Sequence, residues 1–198
     1  MPNALNIIRD EHRSISAILH GMQYLVLEIR ERKARIDSRV FRAMLYYLDT
    51  FSERMHHPKE DRFLFGPLRG RGAGPDALIA ELEREHAGGA ESLRRVEQCL
   101  IRYEEGGDSE FTEFAREVHR FVNGYWDHMR KEEEQVFPLA EKLLSAADWA
   151  AIDRAFEENA DPLAGDRNEK DFRKLFSRIA SLAPPPIGVG PAHKTERQ

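Results

Sequence analysis

The sequence has one cysteine, Cys99, among 198 residues. That excludes an intrachain disulfide framework and fits a reducing, cytoplasmic setting. No apolar run approaches the roughly 20 residues needed to span a bilayer, so no membrane partner is expected. The first twelve residues, Met1 to His12, lack the basic region, apolar core and cleavage site of a secretory leader. Positive charge is not in surplus either. The formal net charge of -5 argues against nucleic acid as a partner, and Arg69, Arg71, Arg94 and Arg95 read as solvated surface. Glycine and proline concentrate in residues 66–75, which read as a flexible loop, and in residues 184–191, which belong to a tail too polar and too rich in proline to bury a core.

What remains is 41% hydrophobic and 33% charged, and its apolar pattern is helical almost throughout. Leu5, Ile8, Ile15, Leu19, Met22 and Val26 mark one face of a helix from about Ala4 to Arg32. Ser38 is the expected N-cap of a second helix reaching about Leu64, with a kink or local break at Pro58. The third carries Leu78, Ile79, Leu82, Leu93, Val96 and Leu100 and ends before Glu105. Ser109 is the expected cap of the fourth, whose stripe is Phe111, Phe114, Val118, Phe121 and Tyr125 and which continues to Phe137-Pro138 or beyond. Shorter helices are expected near Asp148 to Asn159 and Asn168 to Ala180. The fold class is all-α: an up-down-up-down four-helix bundle with extra C-terminal helices. The expected division is a bundle over residues 1–145, a helical extension over 146–182 packed on or near it, and a disordered tail over 183–198. The extension offers a surface for a second copy of the chain or another protein partner.

The chemistry lies in the histidines. A His followed four residues later by an acid is common by chance where 35 of 198 residues are acidic, so no single pair decides anything. An internal repeat does. Aligning His56 with His128 places Lys59 on Lys131, Glu60 on Glu132, Asp61 on Glu133 and Phe65 on Phe137; Glu11-His12 then aligns with Glu85-His86. The chain reads as two helical hairpins, each with one lone His and one His-x-x-x-Glu. At about 100° per residue, His12, His56, His86 and His128 share faces with Ile8, Leu45, Leu82 and Phe121 and point into the bundle. Glu60 and Glu132 follow one turn after their histidines.

Six such groups converging in an apolar core would cost several kcal/mol in desolvation unless cations compensate them. A pair of metal ions does so, with Glu60 and Glu132 as the bridges and iron as the expected metal; manganese, cobalt or zinc fit the same donors. His57, whose face carries Thr50 and Glu53, falls on another face, as do His119 and His20, and His193 lies in the tail; these four read as surface, edge or supporting residues. Tyr125, three residues before His128, reads first as a core tyrosine.

Asp10-Glu11-His12, His56-His57-Pro58-Lys59-Glu60-Asp61, Glu85-His86 and His128-Met129-Arg130-Lys131-Glu132-Glu133 with Phe137-Pro138 resemble the hemerythrin-like, HHE cation-binding family over about Leu5 to Leu143. The resemblance implies a non-haem di-iron centre of two iron ions that binds oxygen or related species. The oxygen carriers of that family have a second His one turn after the position of His86, which here is Ala90. They also place the last carboxylate where Glu133 stands rather than Glu132. Reversible oxygen carriage is thus not implied. The run Gly88-Gly89-Ala90 is expected to leave an open coordination position beside His86. The expected ligand is a small diatomic molecule or peroxide, and the expected role is a binding or sensing protein, a peroxide- or nitric-oxide-consuming enzyme, or an iron buffer.

Overall fold

A computed structural model describes residues 3–32, 36–157, 169–183, 185, 187 and 188. It is all-helical, with no strand among the described residues. Helix α1 is Asn3–Arg32. Helix α2 begins with Arg39–Tyr47 and stays helical through Gly66–Leu68, and α3 is Ala73–Gly106. Helix α4 begins with Asp108–Lys131 and continues through Phe137–Leu143. Two shorter helices follow, α5 over Ala146–Glu157 and α6 over Glu169–Leu182.

The departures from the expected boundaries have local causes. Ser38 makes no side-chain cap; Asp37 does the work, accepting from the Arg39 backbone N–H at 3.0 Å. Ser109 does not cap α4, which already begins at Asp108. The turn between α3 and α4 needs only Gly107, whose φ of 66° is the left-handed region that glycine enters without penalty. The expected loop over 66–75 is short, because Gly66–Leu68 extends α2 and Ala73 already starts α3.

Pro58 does not end α2. The backbone remains right-handed, and the disturbance takes the form of wide π-helical stretches, Leu48–His56 and Glu60–Phe65. A third stretch, Glu132–Val136, interrupts α4. Each is followed within two residues by a proline: Pro58, Pro67 and Pro138. Proline lacks the N–H for an i→i−4 bond and collides with that carbonyl. Widening the preceding turn moves the carbonyl aside without breaking the rod. The two stretches beginning at Glu60 and Glu132 thus arise from the same repeated pattern.

Two apolar layers form the interior. One holds Leu5, Ile8, Leu64, Phe65, Ile79, Leu82, Val136 and Phe137. The other holds Ile15, Leu19, Phe51, Leu93, Phe114, Val118 and Phe121. Burying each such side chain contributes about 1.5–3 kcal/mol. Along every long helix the inward histidine falls between the layers: His12 between Ile8 and Ile15, His86 between Leu82 and Leu93. The candidate centre is therefore a polar stratum sealed above and below.

Helix α5 closes the end near the first layer, with Ile152 and Phe156 buried in it. Asp153 accepts from the Ala4 backbone N–H at 2.8 Å, which satisfies an unpaired donor at the start of α1. Helix α6 lies on α2, with Ile179 and Ala183 in the second layer. Beyond it, Tyr24 donates to the Pro185 carbonyl at 3.2 Å and Ile187 packs on the same layer. The rest of the expected tail, residues 184, 186 and 189–198, and His193 with it, lie outside the described residues. No helix among the described residues is long and apolar enough to cross a membrane.

Candidate metal centre

The structure brings all six sequence-derived residues together. His12, His56, Glu60, His86, His128 and Glu132 are each buried, and Glu60 and Glu132 are 0% exposed. Glu60 lies 3.7 Å from His12 Nε2, 3.4 Å from His56 Nε2 and 3.8 Å from His86 Nε2. Glu132 lies 3.3 Å from His12 Nε2, 3.3 Å from His128 Nε2 and 3.7 Å from His86 Nε2. The two carboxylates face a common centre from opposite hairpins.

What orients the imidazoles is a ring of four outer carboxylates. His56 Nδ1 meets Glu11 at 2.7 Å and His128 Nδ1 meets Glu85 at 2.8 Å. His86 Nδ1 meets Asp61 at 2.7 Å and His12 Nδ1 meets Glu133 at 2.8 Å. An ionised carboxylate only accepts, so each Nδ1 carries the hydrogen. In the neutral ring Nε2 then holds the lone pair, and all four aim it inward, which is how metal-binding histidines are oriented by a carboxylate behind them. Lys59 supports Glu11 at 3.2 Å, as Lys131 supports Glu85. These contacts obey the internal repeat: Glu11 with Glu85, Asp61 with Glu133, Lys59 with Lys131. The alignment had paired these positions, but sequence reasoning did not see that each hairpin supplies the support for the other's lone histidine.

The inner atoms are short of partners. His12 Nε2 and both oxygens of Glu60 and Glu132 are buried with no hydrogen-bond partner among the described residues. Buried polar atoms in such numbers are costly unless something fills the centre. Without a cation the carboxylates draw protons onto the rings. Burial would push His128 down, but the nearby charge of Glu132 and the bond to Glu85 outweigh it and hold the ring up at about 10. For His86, burial is outweighed by the bond to Asp61 and the nearby carboxylates of Glu132 and Glu60, and the ring is held at about 9. Glu132 moves the opposite way: burial would raise it, and the surrounding imidazoles hold it well below the usual carboxylate range. The donor atoms fall into overlapping groups: His12, His56 and Glu60; Glu60, His86, His128 and Glu132; and His57, His86 and His128. Glu60, His86 and His128 each belong to two of them.

Of the readings open for His57, surface, edge or supporting, the structure places it as a buried neighbour of the centre. It is 5% exposed, stacks on His86 at 4.1 Å between ring centroids, and breaks the pseudo-twofold, since its counterpart in the repeat is Met129. Thr50 and Glu53 made its face look solvated. In the structure α3 covers that face, because Gly89 has no side chain: a Cβ there would lie 2.7 Å from the Glu53 Cδ. The Glu53 carboxylate fills the space, accepting from the Tyr125 hydroxyl and lying 3.7 Å from His57 Nδ1. Burial, against the pull of Glu53 and with the repulsion of His86, holds His57 down at about 4, so the ring is neutral near pH 7.

Ala90 is exposed. The buried stripe of α3 runs Leu82, His86, Gly89, Leu93, so the position one turn after His86 does not face the centre. Of the run Gly88-Gly89-Ala90, Gly89 is the residue that faces inward, and the Glu53 carboxylate occupies the space against it. His119 and His20 are exposed, against Asn123 and Trp126 respectively.

A cleft of about 480 Å³ between α3 and α4 reaches His57, His86 and His128 from outside. It is a route by which a small molecule can approach one side of the stratum.

The family model for the hemerythrin HHE cation-binding domain matches residues 3–140. No curated protein matches the chain, and no solved structure does. The matched span holds every residue of the stratum, and the chain belongs to the hemerythrin HHE cation-binding family.

Proposed function

We propose that the chain is an up-down-up-down four-helix bundle holding two iron ions, a non-haem di-iron protein that binds and reacts with a small oxidant: oxygen, nitric oxide or peroxide. The observation that carries the reading is the convergence of four Nε2 atoms, each backed by a carboxylate, on two buried carboxylates with no hydrogen-bond partner among the described residues. Where bound, iron supplies reversible one-electron redox chemistry and an exchangeable coordination position. His12, His56, His86, His128, Glu60 and Glu132 hold the ions, and His57 adjoins the side of His86 and His128. The two apolar layers exclude bulk water, which strengthens every charge interaction between them. Tyr125 and Glu53 form a donor–acceptor pair behind His57 that can hold a proton close to the centre. We place the protein in the cytoplasm, consistent with its single free, buried Cys99.

Access through the α3–α4 cleft favours a reactive centre over an iron buffer, whose metal would be labile to chelators. The test is anaerobic reconstitution with ferrous iron, a count of iron per chain, and optical spectra on adding oxygen, nitric oxide and peroxide in turn. About two iron ions per chain and a ligand-dependent band support the reading. Failure to retain any divalent metal would refute it.

A further inference from the structure

Gly88 and Gly124 are unexplained by the chain's own packing. Both lie within long helices, where glycine is unfavourable relative to alanine. Gly89 has a reason, the Glu53 carboxylate against it, but a Cβ at Gly88 or Gly124 would meet no heavy atom of the described residues within 4 Å. Both line the α3–α4 cleft. At about 480 Å³ the cleft is far larger than a diatomic or peroxide requires, since a water molecule takes about 30 Å³. It falls in the range of sites for small organic molecules.

The two ends of the cleft differ in chemistry. Its floor is the buried imidazoles. His57 is only 5% exposed there, and its Nδ1, 3.7 Å from the Glu53 carboxylate, has no hydrogen-bond partner among the described residues. Phe121 supplies apolar wall beside the glycines. At the mouth, Arg95 and Arg120 both donate to a single carboxylate, Glu117, at 3.3 and 2.7 Å. Glu117 is 5% exposed, while the guanidinium side chains are 43% and 58% exposed. Arg95 also donates to the Ser92 hydroxyl at 2.8 Å and lies 3.7 Å from Glu91, yet each guanidinium still has N–H donors beyond these contacts.

We propose that the α3–α4 cleft binds a small organic carboxylate, its anionic end at Arg95 and Arg120 and its apolar body along Gly88 and Gly124 toward His57. This deepens the di-iron reading, and rests on it for what lies at the floor, by assigning that site an organic ligand in addition to a small oxidant.

The probe is para-fluorobenzoate, followed by fluorine NMR on the full chain, metal-free and after iron reconstitution, with para-fluorobenzyl alcohol as the neutral comparison. Expected are saturable binding of the carboxylate to the metal-free protein and at least tenfold weaker binding of the alcohol. Gly124→Leu fills the cleft from an exposed, unobstructed position, and should weaken the carboxylate at least tenfold with helicity and iron content unchanged. Arg95→Gln with Arg120→Gln should bring the carboxylate close to the alcohol. Absence of saturable binding to folded protein, equal binding of the two probes, or unchanged binding in Gly124→Leu would each overturn the proposal. Iron content is counted on the same samples. Carboxylate binding without iron retention would refute the di-iron reading and leave the cleft site standing; iron retention without carboxylate binding would do the reverse.

Discussion

Adding one methyl group at Gly88 and one at Gly89, adjacent positions of α3, should have opposite effects on stability. At Gly88 the new Cβ meets no heavy atom of the described residues within 4 Å. Alanine in a helix interior is favoured over glycine by about 1 kcal/mol, so Gly88→Ala should raise the melting temperature by about 2–4 °C. At Gly89 the same gain is opposed, because the Cβ would lie 2.7 Å from the Glu53 Cδ. Glu53 would have to withdraw, giving up its bond from the Tyr125 hydroxyl. A buried hydrogen bond to a charged group is worth about 1.5–3 kcal/mol, so Gly89→Ala should lose about 0.5–2 kcal/mol net. Thermal denaturation followed by far-UV circular dichroism, with and without metal, measures both. A Glu53→Ala background should remove most of the penalty, since the two residues are in contact and their effects should not add. Equal stabilisation by the two glycine variants would refute the account of how α3 approaches α2, and with it the explanation for the burial of His57.

Replacing Glu60 and Glu132 together with alanine should reduce bound iron from about two per chain to one or none; two tightly held metals in that variant would end the bridging assignment. Asp61→Asn removes the charge behind His86 Nδ1 and should weaken metal binding about 10–100-fold, whereas an unchanged affinity by competitive chelation would show that Asp61 does not support the ring. Metal-free protein should lose stability as pH rises from 7 to 10: His86 and His128 are held at about 9 and 10 against an ordinary 6.5, so the folded state binds extra protons in that window, and their contribution, complete below about 6.5, disappears through the folded values. A melting temperature that climbs over the same range would contradict the assigned shifts. Ala90→His, at an exposed position, should leave iron content and optical spectra unchanged, and a new iron-dependent band would place that position back at the centre.

The pairing of each His with the Glu one turn later was legible in the sequence because helical periodicity is local. Residues four apart share a face wherever the helix goes, and the flanking apolar residues show which face is buried. The repeat of that pattern in two hairpins carried the rest, including Glu132 rather than Glu133 as the inner carboxylate. His57 was not legible. Its face carries Thr50 and Glu53, which leaves surface, edge and supporting roles all open, because the same two residues would read identically in a helix with nothing packed against it. That α3 approaches there depends on Gly89, 32 positions beyond His57 in the sequence, and no periodicity within α2 encodes it. Ala90 failed for a related reason. Gly89 and Ala90 both lie about one turn from His86, and only the packing of α3 against its neighbours chose Gly89 as the inward one.

The sequence by itself determined which residue types share which helix face, and so the six groups of the stratum, because backbone geometry within one helix needs no partner to define it. The tertiary structure alone decided which carboxylate meets which imidazole. Asp61 serves His86 and Glu133 serves His12 across the hairpins, at separations set by the relative height and rotation of helices far apart in sequence. Those heights follow from how the two apolar layers interlock around the stratum and from the π-helical stretches ahead of Pro58, Pro67 and Pro138. A cross-helix contact is a property of that joint packing, in which every side chain's position depends on the others.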